Sequence, residues 1–150
     1  DGEPFVIEYN CRMGDPETEV VMPRLQTDLV ALFAAMDNGT LIDANISYDS
    51  RSCATIMAVS GGYPGSYEKN KVITGLEPVN DLPNTLVFQA GTAQGQNAVV
   101  SSGGRVLAVT AFGENISEAV ITATQRLQKI EFEGMYFRKD IGLDVLRYKP

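Results

Sequence analysis

Phe5-Val6-Ile7-Glu8-Tyr9-Asn10-Cys11-Arg12-Met13-Gly14-Asp15-Pro16-Glu17-Thr18 joins an alternating apolar run to a cluster of charged and turn-forming residues. Phe5, Ile7 and Tyr9 alternate with Val6, Glu8 and Asn10, so a period of two predicts a short strand with Glu8 and Asn10 on one side. A carboxylate and a carboxamide oxygen two residues apart suit a hard divalent cation, because Mg²⁺ takes few protein oxygens and leaves its other positions to water and phosphate. The plainer reading of the same spacing is a strand edge carrying two solvated polar residues. From Arg12 the pattern becomes a turn into a helix: Gly14 allows a bend, Asp15 suits the N-cap, Pro16 the first helical position, and Glu17 the positive helix end. Free backbone N–H groups and the Arg12 guanidinium could meet an anion there. Asp15 and Glu17 oppose that field and would instead welcome a positive group.

Working outward, Val20, Val21, Leu25, Leu29, Leu32, Phe33 and Met36 continue a helical period that Pro23 interrupts. A short helix and then a longer one are expected, the second capped at Thr27 or Asp28 and ended by Asn38-Gly39. The polar run Ser47-Tyr48-Asp49-Ser50-Arg51 marks a domain boundary near residue 50. Beyond it, residues 52–60, 72–76, 86–92, 98–102 and 105–112 are rich in Val, Ile, Thr, Phe and Leu and read as five strands. Ser102-Gly103-Gly104 predicts a hairpin turn, and Gly61-Gly62-Tyr63-Pro64-Gly65 a longer glycine-rich loop without the Gly-Lys-Ser/Thr of a P-loop. Asn115 or Ser117 can cap a helix with Ile116, Ala119, Val120, Ala123, Leu127 and Ile130 on one face, suited to cover the sheet. Residues 132–137 predict a last extended piece, and Arg138-Lys139-Asp140 a charged loop. The order, strands first and then a helix and a strand, implies α+β rather than alternating βαβ units.

Composition narrows the chemistry. The 150 residues are 44% hydrophobic and 21% charged, an ordinary globular balance. Nineteen acids against twelve bases leave a formal charge of −7, without the basic stripe that nucleic-acid binding requires, so no nucleic-acid partner is expected. No apolar run approaches the ~20 residues that cross a bilayer, and Asp1-Gly2-Glu3-Pro4 lacks the features of a signal peptide; a cytoplasmic protein with no membrane partner is the expectation. With no histidine and only Cys11 and Cys53, histidine-based catalysis, histidine metal sites and a disulfide framework are excluded. Oxygen ligands, Arg and Lys must carry any chemistry.

The stretch from Val6 to Thr18 resembles the metal-binding signature of the phosphoribosylamine–glycine ligases, which are ATP-grasp enzymes. Ala58-Val59-Ser60-Gly61-Gly62-Tyr63-Pro64-Gly65, Phe88-Gln89-Ala90-Gly91-Thr92, Gly103-Gly104-Arg105-Val106-Leu107-Ala108-Val109-Thr110-Ala111 and Tyr136-Phe137-Arg138-Lys139-Asp140-Ile141-Gly142 are similar to further segments of that family, in its order. The similarity is to the C-terminal part of a longer protein. It implies a fragment: residues 1–50 as the end of an ATP-grasp domain, a strand plus helices, and 51–150 as a small antiparallel α+β domain covered by a helix. The missing N-terminal part of the same chain would then be its partner. The resemblance further implies ATP, glycine and 5-phosphoribosylamine as substrates of the intact enzyme, with glycinamide ribonucleotide, ADP and phosphate formed through a glycyl phosphate. Position by position, Glu8 and Asn10 match the family's Mg²⁺ or Mn²⁺ ligands and Arg12 its catalytic arginine, while Asp15, Glu17 and Arg138 fall on the substrate side. Gln89 departs from the pattern, standing where the family is expected to carry histidine.

Two alternatives stay open at the level of sequence. Another ATP-grasp ligase or carboxylase could share Glu-x-Asn and the following turn, although the downstream segments speak against it. A non-catalytic α+β binding module would leave Glu8 and Asn10 as simple strand-end polar residues.

Overall fold

The computed structural model describes residues 2–147. Its centre is the strand pair β1 (Ser52–Val59) and β5 (Arg105–Gly113), antiparallel in the register Thr55↔Thr110 and Met57↔Ala108, with β2 (Thr85–Gln89) on the other side of β5 in the order β1-β5-β2. β5 is therefore the middle strand, and Val106 through Ala111 are buried on both of its faces.

One face packs on α4 (Ile116–Leu127), whose Asn115 cap accepts from Glu118 N at 3.0 Å, as the capping residues predict. Ala119, Ala123 and Leu127 from its apolar face join Ile56, Leu107, Val109 and Ile130 in the core. The opposite face meets α1 (Thr18–Arg24): the Thr110 hydroxyl donates to Glu19 O at 2.9 Å and lies within hydrogen-bond distance of Thr55 Oγ1, at 2.8 Å. β5 has the continuous apolar character of a strand covered on both sides rather than the alternation of a half-exposed one.

The α+β class is as expected, but several local expectations need correction. Residues 5–10 form no strand; a strand exists through its ladder, and among the described residues none pairs with this run. α1 begins two residues later than expected. Gly14 O accepts from Thr18 N, which makes residues 14–17 a turn, so Asp15 and Pro16 are turn residues and not cap and first helical position. Residues 72–76 also form no strand, because Val72 and Thr74 each make a single bridge to a different partner and Gly75, at φ +81°, bends the chain into the short α3 (Leu76–Asn80). The 86–92 strand divides at Ala90-Gly91 into β2 and β3 (Thr92–Gln94). β3 pairs with β4 (Val99–Ser101) in a separate two-stranded sheet, so Ser102-Gly103-Gly104 links two sheets instead of closing a hairpin. Residues 132–137 add only the bridge Tyr136↔Val59, and α5 (Leu143–Arg147) follows where the sequence announced no element. The longer helix is as read: α2 (Leu29–Asp37) carries Asp28 as cap, accepting from Ala31 N at 2.9 Å, and ends at Asn38.

Candidate functional site

The five segments that carry the family resemblance lie far apart in sequence, and they meet at one end of the central sheet, around Gly103-Gly104-Arg105. Ser60 donates through N to Gly104 O and through Oγ to Gly103 O, at 2.8 and 2.9 Å, which brings in the glycine-rich loop. A Cβ on Gly104 would collide with the Tyr63 ring of that loop, so this approach needs glycine. Gly91 N donates to Arg105 O at 2.9 Å and Gly91 O accepts from Ser102 N at 2.8 Å; a Cβ on Gly91 would strike the backbone of Arg105 and Gly103. Val59 and Tyr136 exchange both backbone hydrogen bonds, at 2.8 and 3.0 Å, and add the fourth segment.

The fifth is the 14–17 turn, reached by the Arg105 side chain. Its Nη1 donates to Asp15 O at 3.0 Å, and its Nη2 pairs with the Asp15 carboxylate at 3.4 Å. Two hydrogen bonds from the Thr18 amide and hydroxyl to Gly14 O, at 3.0 and 2.7 Å, hold the turn itself, and Glu17 Oε2 accepts from Gly14 N at 3.2 Å. Glu17 thus closes its own turn. Between the turn and the 136–141 segment lies a cleft of about 310 Å³, with Pro16, Arg105, Tyr136 and Arg138 on its walls and Ile56 and Met57 of β1 among its apolar lining. Arg138 is held by Asp140 in a two-point pair, Nε to Oδ1 at 2.9 Å and Nη2 to Oδ2 at 2.8 Å. That contact keeps the Asp140 carboxyl below its ordinary range and raises the Arg138 guanidinium.

Of the residues singled out from sequence, Arg138 lines this cleft and Asp15 is tied to the Arg105 on its wall, whereas Glu8, Asn10 and Arg12 are not gathered there. Glu8 and Asn10 are exposed in the irregular run before the turn, and Arg12 donates to the neighbouring Met13 O at 3.1 Å. One carboxylate and one amide oxygen fit a hard divalent cation in kind and supply about two of the roughly six oxygens that Mg²⁺ takes. Among the described residues, no group of three or more His, Cys, Asp and Glu could hold a metal ion. Gln89 Oε1 accepts from Thr92 Oγ1 at 2.9 Å, a local bond at the sheet end. Cys53 sits in β1, where burial pushes its thiol up, which disfavours the reactive thiolate.

Arg105, on the wall of this cleft, is the residue that sequence reasoning passed over. It stands inside a quoted segment, directly after a glycine pair, but nothing in the order of residues says that its side chain reaches back to Asp15.

A family model described as "Phosphoribosylglycinamide synthetase, C domain" matches residues 53–144. The chain belongs to this family. It is 46% identical over 145 residues to a phosphoribosylamine–glycine ligase of Chlorobaculum tepidum, covering 97% of this chain and 34% of that protein. It is 42% identical over 144 residues to a bifunctional purine biosynthetic protein of Dictyostelium discoideum, covering 95% of this chain and 18% of that one. Among solved structures, the phosphoribosylamine–glycine ligase of Thermotoga maritima superposes with a TM-score of 0.70 at 32% identity, over 93% of this chain and 34% of that chain. The chain thus spans about a third of the length of the ligase relatives it matches. No helix among the described residues is long and apolar enough to cross a membrane.

Proposed function

We propose that this chain is the C-terminal part of an ATP-dependent ligase that joins glycine to 5-phosphoribosylamine in purine biosynthesis, in the cytoplasm. The observation that carries this reading is near-complete coverage of the chain by relatives bearing that ligase name, together with the meeting of all five family-like segments at one sheet end. In this reading residues 1–50 end the ATP-binding domain and 51–150 form the C-terminal domain.

Glu8 and Asn10 would hold Mg²⁺ or Mn²⁺, which when bound supplies charge neutralisation for a transferring phosphoryl group. Arg12 lies two residues beyond Asn10, and its planar guanidinium suits a phosphate or acyl-phosphate oxygen. The turn that follows sets where Arg12 stands relative to the sheet, because Arg105 ties Asp15 down by both carbonyl and carboxylate. Asp15, Glu17 and Arg138 then belong to the substrate side. A carboxamide does not titrate near neutral pH, so Gln89 orients or hydrogen-bonds and does not move a proton.

The test is complementation. The 150-residue chain alone should form no glycinamide ribonucleotide from ATP, glycine and 5-phosphoribosylamine, and co-expression with the first two thirds of the Chlorobaculum tepidum ligase should restore formation. A complex of the two that still yields no product would overturn the reading.

A further inference from the structure

Resting on the ligase reading, we propose that Lys71 is a positioning residue, which seats the loop of residues 61–70, the glycine-rich stretch included, on the sheet end by joining it to the segment around Glu133. Both ends of the loop are fixed near one place. Ser60 donates to Gly103 O and Gly104 O, Asn70 N donates to Ser101 O at 2.7 Å, and Lys71 N donates to Ser101 Oγ at 3.1 Å. Between these anchors all residues but Tyr67 are exposed. Among the described residues, the one backbone hydrogen bond made from 61–69 is Tyr63 N to Ser60 O, at 3.1 Å. A loop held so sparsely by its backbone takes its position from side chains.

Lys71 Nζ supplies such a hold. It lies 2.6 Å from Glu68 Oε2, inside the loop, and 3.0 Å from Glu133 Oε2, across a seam where a Cβ on Gly61 would come within 2.7 Å of Gly134 O. The two carboxylates are well exposed, but the Lys71 side chain is only 21% exposed, so the shared ammonium is partly shielded from the water and salt that weaken ordinary surface pairs. Contact with Glu68, and then with Glu133, raises the Lys71 ammonium above its ordinary range, and Glu68 falls below its own, so both stay charged at neutral pH. At the far side of the loop the Tyr63 ring lies against Gly104, with the Tyr67 ring edge-on to it at 6.2 Å between centres. Gly104 precedes Arg105, whose side chain is on the cleft wall and reaches Asp15. Loosening the loop lifts the ring off Gly104 and frees the start of the strand from which Arg105 projects. The effect falls on the cleft, where Glu8, Asn10 and Arg12 are not gathered, and so on substrate binding more than on phosphoryl transfer.

NMR of the 150-residue chain reads the seating directly, through the ring-current displacement of the Gly104 Hα resonances by Tyr63. Lys71→Gln and Glu68→Gln should each reduce that displacement by about half or more, as should ~1 M salt on the unaltered chain, and Lys71→Arg should keep most of it. In the complemented enzyme, Lys71→Gln should raise KM for 5-phosphoribosylamine about fivefold with kcat within about twofold, and Lys71→Arg should return KM to the native value. Gly104 resonances unmoved by Lys71→Gln, no rescue by Lys71→Arg, or a fall in kcat at constant KM would overturn the proposal. Absence of product from the complemented native chain overturns the ligase reading alone, because the resonances of the 150-residue chain decide the seating of the loop without it.

Discussion

Residues 5–9 and the strand β5 are both apolar runs of extended character, and they end up in opposite surroundings. Phe5, Ile7 and Tyr9 are 86, 95 and 86% exposed, whereas Val106 through Ala111 are wholly buried. β5 is flanked by β1 and β2 and covered by α4 and α1, so each of its polar backbone groups and each of its side chains has somewhere to go. Among the described residues, no strand pairs with residues 5–9, and all five are exposed. The difference teaches that a period of two is a statement about which residues could share a face, and that pairing and covering decide whether the face exists.

The sharpest test of that contrast uses activity. In the complemented enzyme, Glu8→Gln should lower the rate about a hundredfold or more and by far more than Asn10→Ala, since it removes a negative charge opposite the cation as well as a ligand. Thermal melting of the chain should be unmoved by either, within about 0.5 kcal/mol. Equal rate losses, or a shifted melt, would count against the assignment.

Stability should show the reverse. Leu127→Ala empties a fully buried site beneath the sheet and should cost about 2–5 kcal/mol, while Ile7→Ala should fall within about 0.5 kcal/mol of no change. Urea denaturation of both variants decides; a comparable loss at Ile7 would mean that residues 5–9 are packed in solution.

The two capped helices extend the comparison. Asn115→Ala should cost about 1 kcal/mol of global stability, because α4 is part of the core, and Asp28→Ala should only fray α2, none of whose residues is buried. Hydrogen exchange read helix by helix separates the outcomes, and matching losses of global stability would remove the distinction.

The smallest effect concerns the clasp between the regions. Arg24 donates through Nε and Nη2 to Asp49 O, and the Asp49 carboxylate receives Arg51, whose guanidinium lies 4.7 Å from the Phe112 ring centre. The hydrogen bond from Arg51 lowers Asp49 from 3.8 to about 2. A depressed folded value means that this contribution is complete above pH 3.8 and is lost as the pH falls toward 2. Asp49→Asn should therefore flatten the acid limb of the stability curve in that window and leave its shape near neutrality alone. An unchanged acid limb would show that Asp49 is not the titrating group. Removing residues 1–50 entirely should still leave a cooperative melt if the domain division proposed above holds, because the sheet and α4 lie beyond that point.

The local signals in the chain were sufficient for much of this. Asn115 and Asp28 announced their helices because an N-cap bond is made within four residues, and the 52–60 and 105–112 runs announced strands because they are long and β-branched. The motif around Glu8 named the family because residue order alone carries that likeness. Only the tertiary structure decided that β4 leaves β5 for a second sheet, that residues 72–76 bend into a helix, and that residues 5–10 stay unpaired. It also decided that Arg105 reaches Asp15 across ninety positions of chain and that five separate segments share one end of a sheet. Each of these depends on which partner lies nearby in space, and pairing partners, unlike caps and periods, are not written within the few residues that a local reading can see.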